Sequence, residues 1–505
     1  MAAALSSTQR VVLLVAILAS FVTSLDSSVT NVALPAIARD LGGGLATQQW
    51  TVDAYLVTLS ALMLLAGSLA DTYGRVRIMR WGLIGFGVAS VAVGAATGPE
   101  MMVAARALQG AAGAFLLPSS LALITSRIQG EAQGKAIGIW TAASTAAMIA
   151  GPLLGGLFTD YLSWRWVFLI NVVPIGITLW MLRSVGPDTT PAAAAQPVVP
   201  DPTAAVGAGV SLPDDAASPA SGAGAAPARG RAAVDWLGGA LVALSLGLGT
   251  FGIIEAERWG WGSPVIAGSL AAAVVLLGLF LWRQTRVSAP VLPLALFKVR
   301  TFWVGNVATL LIYAALALQG FVIGVYLQDP RGPGLSATAA GLVSLPMTIL
   351  MIVLSSRMGA LAGKHGPRLF MGVGPLLLGA GCLLLLAVGA PFNYWTQVLP
   401  GVIVMGLGLS IMVAPLTAAI LGSIGPERAG IASAVNNAVS RVAGLVAVAL
   451  VSTIVGGTLD LGGFHTALTV CAVLFAAGGV VSLLGISNAE VKAGAAAEPG
   501  EAASA

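Results

Sequence analysis

Apolar residues in this chain gather into long runs separated by short polar interruptions. The runs can be read at roughly 11–35, 48–70, 78–97, 100–125, 136–158, 165–183, 234–254, 264–283, 301–327, 337–360, 368–390, 395–422, 430–455 and 465–487. Crossing a bilayer as a helix takes about 20 apolar residues, so the pattern predicts fourteen transmembrane helices. Residues 184–233 break it with eight prolines, many alanines and few large apolar side chains. That composition reads as a flexible cytoplasmic tether. The tail, 488–505, reads the same way.

Composition narrows the class. Of 505 residues, 57% are hydrophobic and 9% charged, against about 25% charged in soluble domains. A chain this size cannot coat itself for water, which excludes a soluble enzyme, a nucleic-acid binder and a disordered scaffold. The 64 glycines suit close helix approach in lipid. Cys382 and Cys471 lie inside apolar runs, so neither a disulfide framework nor a metal site is expected. Arg10 before a short apolar core imitates a signal peptide, but the run continues through Ser24, Asp26 and Asn31 without a clear cleavage site. A retained first helix is expected.

Net charge is +4, and its placement matters more than its size. With the N-terminus inside, loops and tails place 18 Lys and Arg residues on the inside and four (Arg39, Arg165, Arg258, Arg331) on the outside. Arg106 and Arg441 fall within helices. The bias predicts both termini in the cytoplasm.

The chain also repeats itself. Gly67-Ser68-Leu69-Ala70 with Gly74 returns 292 residues later as Gly359-Ala360-Leu361-Ala362 with Gly366. The same shift carries the helix at 11 onto the helix at 301. The expected organisation is therefore a six-helix half at 1–183, the linker at 184–233, an inserted helix pair and loop at 234–300, a second six-helix half at 301–487 and the tail at 488–505. Repeated halves with a site between them are a recurrent transporter design.

Ionisable groups inside lipid are costly and each needs a reason. Asp26 and Asp53 are the two carboxylates clearly inside helices. Thr23, Asp26 and Thr30 share one helical face, which is expected to look into a cavity. Asp26, Asp53 and Arg106 could meet in one outward-side cavity. Asp26 is either a structural hydrogen-bonding group or an acid that exchanges a proton for cargo. Asp53 is either such an acid or simply hydrated, and Arg106 either tunes a proton or clamps carbonyls. Asp71, Gly74, Arg75 and Arg77 form either a breakable latch or a plain topogenic loop. Gly151 and Gly155 with Pro152 suggest close helix approach at a pivot. Tyr55, Trp140, Phe302 and Tyr313 could line an aromatic pocket or simply pack. The polar patch Asn436, Asn437 and Arg441 could be the second half's counterpart or structural.

Several of these segments resemble signatures of the major facilitator superfamily. Gly67 to Arg77 is similar to its helix 2–3 signature, and Arg106-Ala107-Leu108-Gln109-Gly110 with Gly113 to its helix 4 signature. Gly151-Pro152-Leu153-Leu154-Gly155-Gly156 resembles the helix 5 motif of its proton-driven antiporters. Leu25-Asp26 through Asn31 to Pro35, and Trp164 through Asn171, resemble marks of the fourteen-helix drug:proton antiporter branch, which includes methylenomycin, puromycin and quaternary-ammonium exporters. The resemblance implies an all-α fold of two six-helix halves plus two central helices. It implies that Asp26 couples protons or binds substrate, that Arg106 transfers protons, that Asp71 and Arg75 latch the halves, and that Gly151, Pro152 and Gly155 form the antiporter motif. Gly363 stands where the second half's latch would carry an acid.

The expected protein is an inner-membrane antiporter, a monomer and not an enzyme. It would export small hydrophobic or amphiphilic compounds, often cationic, driven by the proton gradient with no cofactor. Its partners would be a small-molecule substrate, protons and the lipid bilayer, with no nucleic acid. Export of an endogenous metabolite or lipid is the alternative, and a proton-coupled nutrient symporter a further one.

Overall fold

The computed structural model describes residues 6–128, 131–186, 235–287, 290–424 and 429–488. Residues 187–233 of the expected linker and 489–505 of the tail lie outside the described residues. Among the described residues the regular structure is helical, without strands.

The first half begins with α1 (Ser7–Leu41), whose start is set by a capping box: Ser6 Oγ accepts from Gln9 N at 3.2 Å, and Gln9 Oε1 accepts from Ser6 N at 3.0 Å. The left-handed backbone of Gly42 and Gly43 (φ 84° and 79°) turns the chain into α2 (Gly44–Tyr73). Then come α3 (Arg75–Gly94), the broken span α4 (Pro99–Gly113) and α5 (Leu116–Arg127), α6 (Glu131–Tyr161), and the short pair α7 (Trp166–Leu169) and α8 (Val172–Met181). Within this half α1 packs on α5 and α6, and α4 on α2 and α3.

α9 (Trp236–Trp259) and α10 (Pro264–Gln284) pack on each other, and α9 leans on α2. Asp235 ties the base of this pair. It caps Gly238 N at 2.9 Å and accepts from Arg283 Nε at 2.7 Å and Gln284 Nε2 at 3.1 Å. Burial pushes its carboxyl upward, but these donors outweigh burial and hold it below the usual carboxylate range.

The second half comprises α11 (Arg300–Tyr326), α12 (Ala337–Val343), α13 (Leu345–His365), α14 (Pro367–Leu384), α15 (Leu399–Gly422), α16 (Ala429–Ala449), α17 (Val451–Val455) and α18 (Leu461–Gly485). α14 packs on α15 and α18, and α11 on α16 and α18. The sequence repeat has a geometric counterpart. Gly74 and Gly366, at φ 96° and 90°, each end one helix and start the next. Each donates its amide to the residue four back, Ala70 O at 3.0 Å and Ala362 O at 2.8 Å.

Eleven described stretches are long and apolar enough to cross a bilayer, so this is a multi-pass membrane protein. In three further intervals where the sequence predicts spans lie α2, α6 and the apolar Trp166–Met181. This last stretch is short because the chain turns at Ile170 and Asn171, between α7 and α8.

Three sets of hydrogen bonds join the halves near the Leu41 end of α1. Gln49 Nε2 donates to Val448 O (2.7 Å) and Ala449 O (2.9 Å), and Ser452 pairs with Gln49 Oε1. Gln328 Nε2 donates to Val32 O at 3.1 Å. Asp160 at the end of α6 accepts from Ala337 N (3.0 Å) and Thr338 N (2.8 Å), capping α12 across the interface. The backbones nearly touch there: a Cβ on Gly156 would sit 2.4 Å from Thr338 Cα, and one on Gly341 would sit 2.4 Å from Pro152 O. Gly156→Val is expected to overpack this contact at a cost of about 1–3 kcal/mol, lowering the melting temperature in detergent by several degrees. An unchanged melting curve would show that the halves do not meet here.

Candidate functional site

The polar stretch of α1 satisfies part of itself locally. Thr23 Oγ1 donates to Ser20 O (2.9 Å), Ser27 Oγ to Thr23 O (3.0 Å) and Thr30 Oγ1 to Asp26 O (2.6 Å). Asp26 cannot do this, because an ionised carboxylate only accepts. Its donors come from other helices. Arg106 Nη1 reaches Asp26 Oδ2 at 2.7 Å, while Gln109 Nε2 and Asn171 Nδ2 both reach Oδ1 at 2.8 Å. Both members of the ion pair are fully buried (side-chain exposure 2% and 0%).

Arg106 is fixed on every side. Its Nε donates to Thr51 O at 2.8 Å, and Nη1 also meets Gln109 Oε1 at 2.6 Å. The guanidinium lies 4.4 Å from the Tyr55 ring centroid and 5.5 Å from that of Phe168, within cation–π range. Ser90 Oγ accepts from Gln109 Nε2 at 3.0 Å. Gly110 allows this closeness, since a Cβ there would sit 2.2 Å from Tyr55 O.

The face carrying Thr23 and Asp26 therefore turns into the first half and not into a cavity, because the donors for Asp26 are on α4 and at the α7–α8 turn. The neighbouring face of α1 is the open one. Ser27, Thr30 and Asn31 line a cavity of about 140 Å³ between the halves, with Tyr55 and Arg106 on the same side and Phe321 and Arg441 opposite. Arg106 thus touches both the buried acid and the cavity.

Asp53 does not join this cluster. It precedes Tyr55 by two positions, about 200° around the helix, on the side of Gln49 and Trp50. Those two bond α16 and α9, the latter through Trp50 Nε1 to Glu255 Oε1 at 3.0 Å. Asp53 is fully buried, and both its carboxyl oxygens lack hydrogen-bond partners among the described residues.

Other candidates separate as well. Trp140 lies away from the cavity: its Nε1 donates to Ser20 Oγ at 2.6 Å and its ring packs with Leu13, Ala16 and Ile124. Asn437 is exposed and bonds back to Ser433 O at 3.0 Å, so it does not line the cavity. Asn436 Nδ2 ties α16 to Thr309 Oγ1 of α11 at 2.9 Å. Phe302 packs edge-on against Phe297, and Tyr313 packs against the second half's core. In the helix 5 motif, a Cβ on Gly151 would lie 2.2 Å from Ser28 Oγ and one on Gly155 2.8 Å from Val29 O. That motif lets α6 lie along α1 while Pro152 and Gly156 meet α12. Gly67 lies within α2, and the side chain of Asp71 lies outside what the structure describes. Arg75 Nη1 donates to Ala122 O at 3.0 Å, and Arg77 is exposed.

Gln109 and Asn171 stand in the quoted motifs with no role assigned there, and the structure brings both to Asp26. Gln109 sits one turn from Arg106, on the same face, and Asn171 is the polar interruption of an apolar run. Removing one member of a buried pair costs about 3–5 kcal/mol because the other is left charged and alone. Asp26→Leu and Arg106→Leu are each expected to lower thermal stability in detergent strongly, and the double variant by less than their sum. Additive losses would show that the two groups do not act as a pair.

A family model described as the Major Facilitator Superfamily matches residues 16–448 and 307–504. The chain is 32% identical to a puromycin resistance protein of Streptomyces alboniger, covering 88% of this chain and 81% of that one. It is 30% identical to a cephamycin export protein of Amycolatopsis lactamdurans (89% and 86% covered) and 30% identical to a tetracenomycin C resistance and export protein of Streptomyces glaucescens (85% and 73% covered). Among solved structures, a D-xylose-proton symporter is similar in fold at a TM-score of 0.63 and 12% identity, covering 96% of this chain and 99% of that one. A fold of two packed helical halves and a family match along most of its length place the chain in one family: it belongs to the Major Facilitator Superfamily.

Proposed function

We propose that this protein is a proton-coupled exporter of antibiotics and other small amphiphilic compounds. It works in the inner membrane with fourteen spans and both termini in the cytoplasm. Relatives named for resistance or export, to puromycin, cephamycin and tetracenomycin, support the export reading. The 18-to-4 bias of positive residues supports the orientation, and the eleven apolar spans with α2, α6 and Trp166–Met181 between them support the helix count.

One observation carries the coupling: a buried carboxylate, Asp26, held by an arginine that also borders the cavity between the halves. A proton arriving at Asp26 neutralises it and dissolves the ion pair. Arg106 and Asn171 then lose their common partner, and α1 is freed from α4 and the α7–α8 turn. Cargo in the cavity favours the paired arrangement, so proton and cargo occupy the protein in turn. Asp53, an acid without donors, carries a second exchangeable proton at the junction of α2, α9 and α16; the charged form of such a group is expensive. The halves rock about the α1–α6–α12 contact built on Gly151, Pro152, Gly155 and Gly156. Asp71, Gly74, Arg75 and Arg77 latch the opposite end, and Asn31 positions cargo.

Expression in a pump-deficient bacterial host, screened against antibiotics, dyes and quaternary ammonium compounds, tests the reading. Resistance to at least one compound, abolished by Asp26→Asn at equal membrane abundance and by a protonophore, is the expected result. Accumulation of the compound in place of its expulsion would overturn export, and resistance insensitive to the protonophore would overturn proton coupling.

A further inference from the structure

The cavity between the halves carries an uncompensated positive charge. Of the two arginines on its wall, Arg106 is neutralised by Asp26, but Arg441 of α16 has no carboxylate partner among the described residues. None of the described residues lining the cavity is acidic. Asp26 faces into the first half, toward Arg106, Gln109 and Asn171, and Asp53 is not among the residues that line the cavity. The remaining polar wall consists of Ser27 and Thr30, whose hydroxyl protons are held by Thr23 O and Asp26 O, together with Asn31, whose amide can donate, and Tyr55. The Tyr55 hydroxyl is buried beside Ser27. Phe321, Leu56 and Val448 complete the lining with apolar surface.

We infer that the cavity selects organic anions: amphiphiles whose apolar or aromatic body lies against Phe321 and whose carboxylate or phenolate is taken by Arg441 and the Tyr55 hydroxyl. A guanidinium presents a planar fork that matches a carboxylate, and Arg441 is only half-buried, so an anion in the cavity can reach it. A cationic cargo would meet Arg441 with no acid to offset it, contrary to the expectation from sequence that cargo is often cationic. At about 140 Å³ the cavity is smaller than the roughly 300–1,000 Å³ of whole ligand sites. It therefore holds the acidic headpiece of a larger molecule. An inside-negative membrane potential favours outward movement of an anion, so the charge of the site suits the direction of export. This inference rests on the export reading and specifies its substrate class.

A matched dye pair tests it: fluorescein, an anion, and rhodamine 6G, a related xanthene whose acid is esterified and whose ring system is cationic. Binding to the purified full-length protein in detergent is read by fluorescence anisotropy. Fluorescein is expected to bind at least about tenfold more tightly than rhodamine 6G. Arg441→Gln should erase most of that difference by weakening fluorescein alone, and Arg441→Lys should keep part of it. Tighter binding of rhodamine 6G by the parent, or equal weakening of both dyes by Arg441→Gln, would overturn the inference. Proton-gradient-driven transport in inverted vesicles separates the two readings. A preserved preference for fluorescein without proton-driven transport supports the anion site while removing the antiport reading. Proton-driven transport of rhodamine 6G with fluorescein excluded removes the anion site and leaves export standing.

Discussion

A carboxylate enclosed by helices must find donors to replace the water it has lost. Asp26 recruits an arginine and a glutamine from α4 and an asparagine from the α7–α8 turn, and much of the first half is arranged around that demand. α4 comes close to α2 because Gly110 has no side chain, which brings Arg106 under Thr51 O and over the Tyr55 ring. The apolar stretch Trp166–Met181 breaks at Asn171, which presents its amide to the same oxygen that Gln109 reaches. Such a pair adds little net stability against an apolar replacement, yet losing one member is severe. In the proposed exchange, that asymmetry is what would let one proton change how the first half packs.

The cavity and the acid are adjacent but separate, and this separation is informative. Ser27, Asn31, Tyr55 and Arg441 line the cavity, whereas Asp26 lies behind them, with Arg106 touching both. Coupling through one shared arginine does not require cargo to touch the titrating group. The helix 5 motif extends the same logic. Gly151 and Gly155 hold α6 on α1, the helix bearing the acid, while Gly156 and Pro152 hold it on α12 of the other half. A change at Asp26 is therefore two helix contacts away from the interface between the halves.

Much of this was legible in the sequence. Long apolar runs, the repeat around Gly74 and Gly366, and the membrane-embedded Asp26 and Arg106 all follow from composition, spacing and the cost of charge in lipid. The direction in which Asp26 points was not legible: Thr23, Asp26 and Thr30 do share a face, but only the packing of α4 and α8 decides whether a shared face meets water or protein. Asp53 and Arg106 were expected in one cavity because both start near the same end of the bundle. Rotation about the α2 axis, which depth along the membrane does not reveal, separates them. Trp140 looked like a cavity aromatic because an aromatic ring in an apolar helix has the same signature whether it lines a pocket or fills a core. Gln109 and Asn171 carried a signal in their polarity, but uncharged amides stand out less than charges do.

The most direct test of Asp26 as the exchanging group is proton release by the purified protein in weakly buffered detergent, on addition of a compound to which the chain confers resistance. The parent is expected to release a proton as cargo binds, and Asp26→Asn to bind the same compound without release. Equal release from both proteins would contradict the exchange at Asp26.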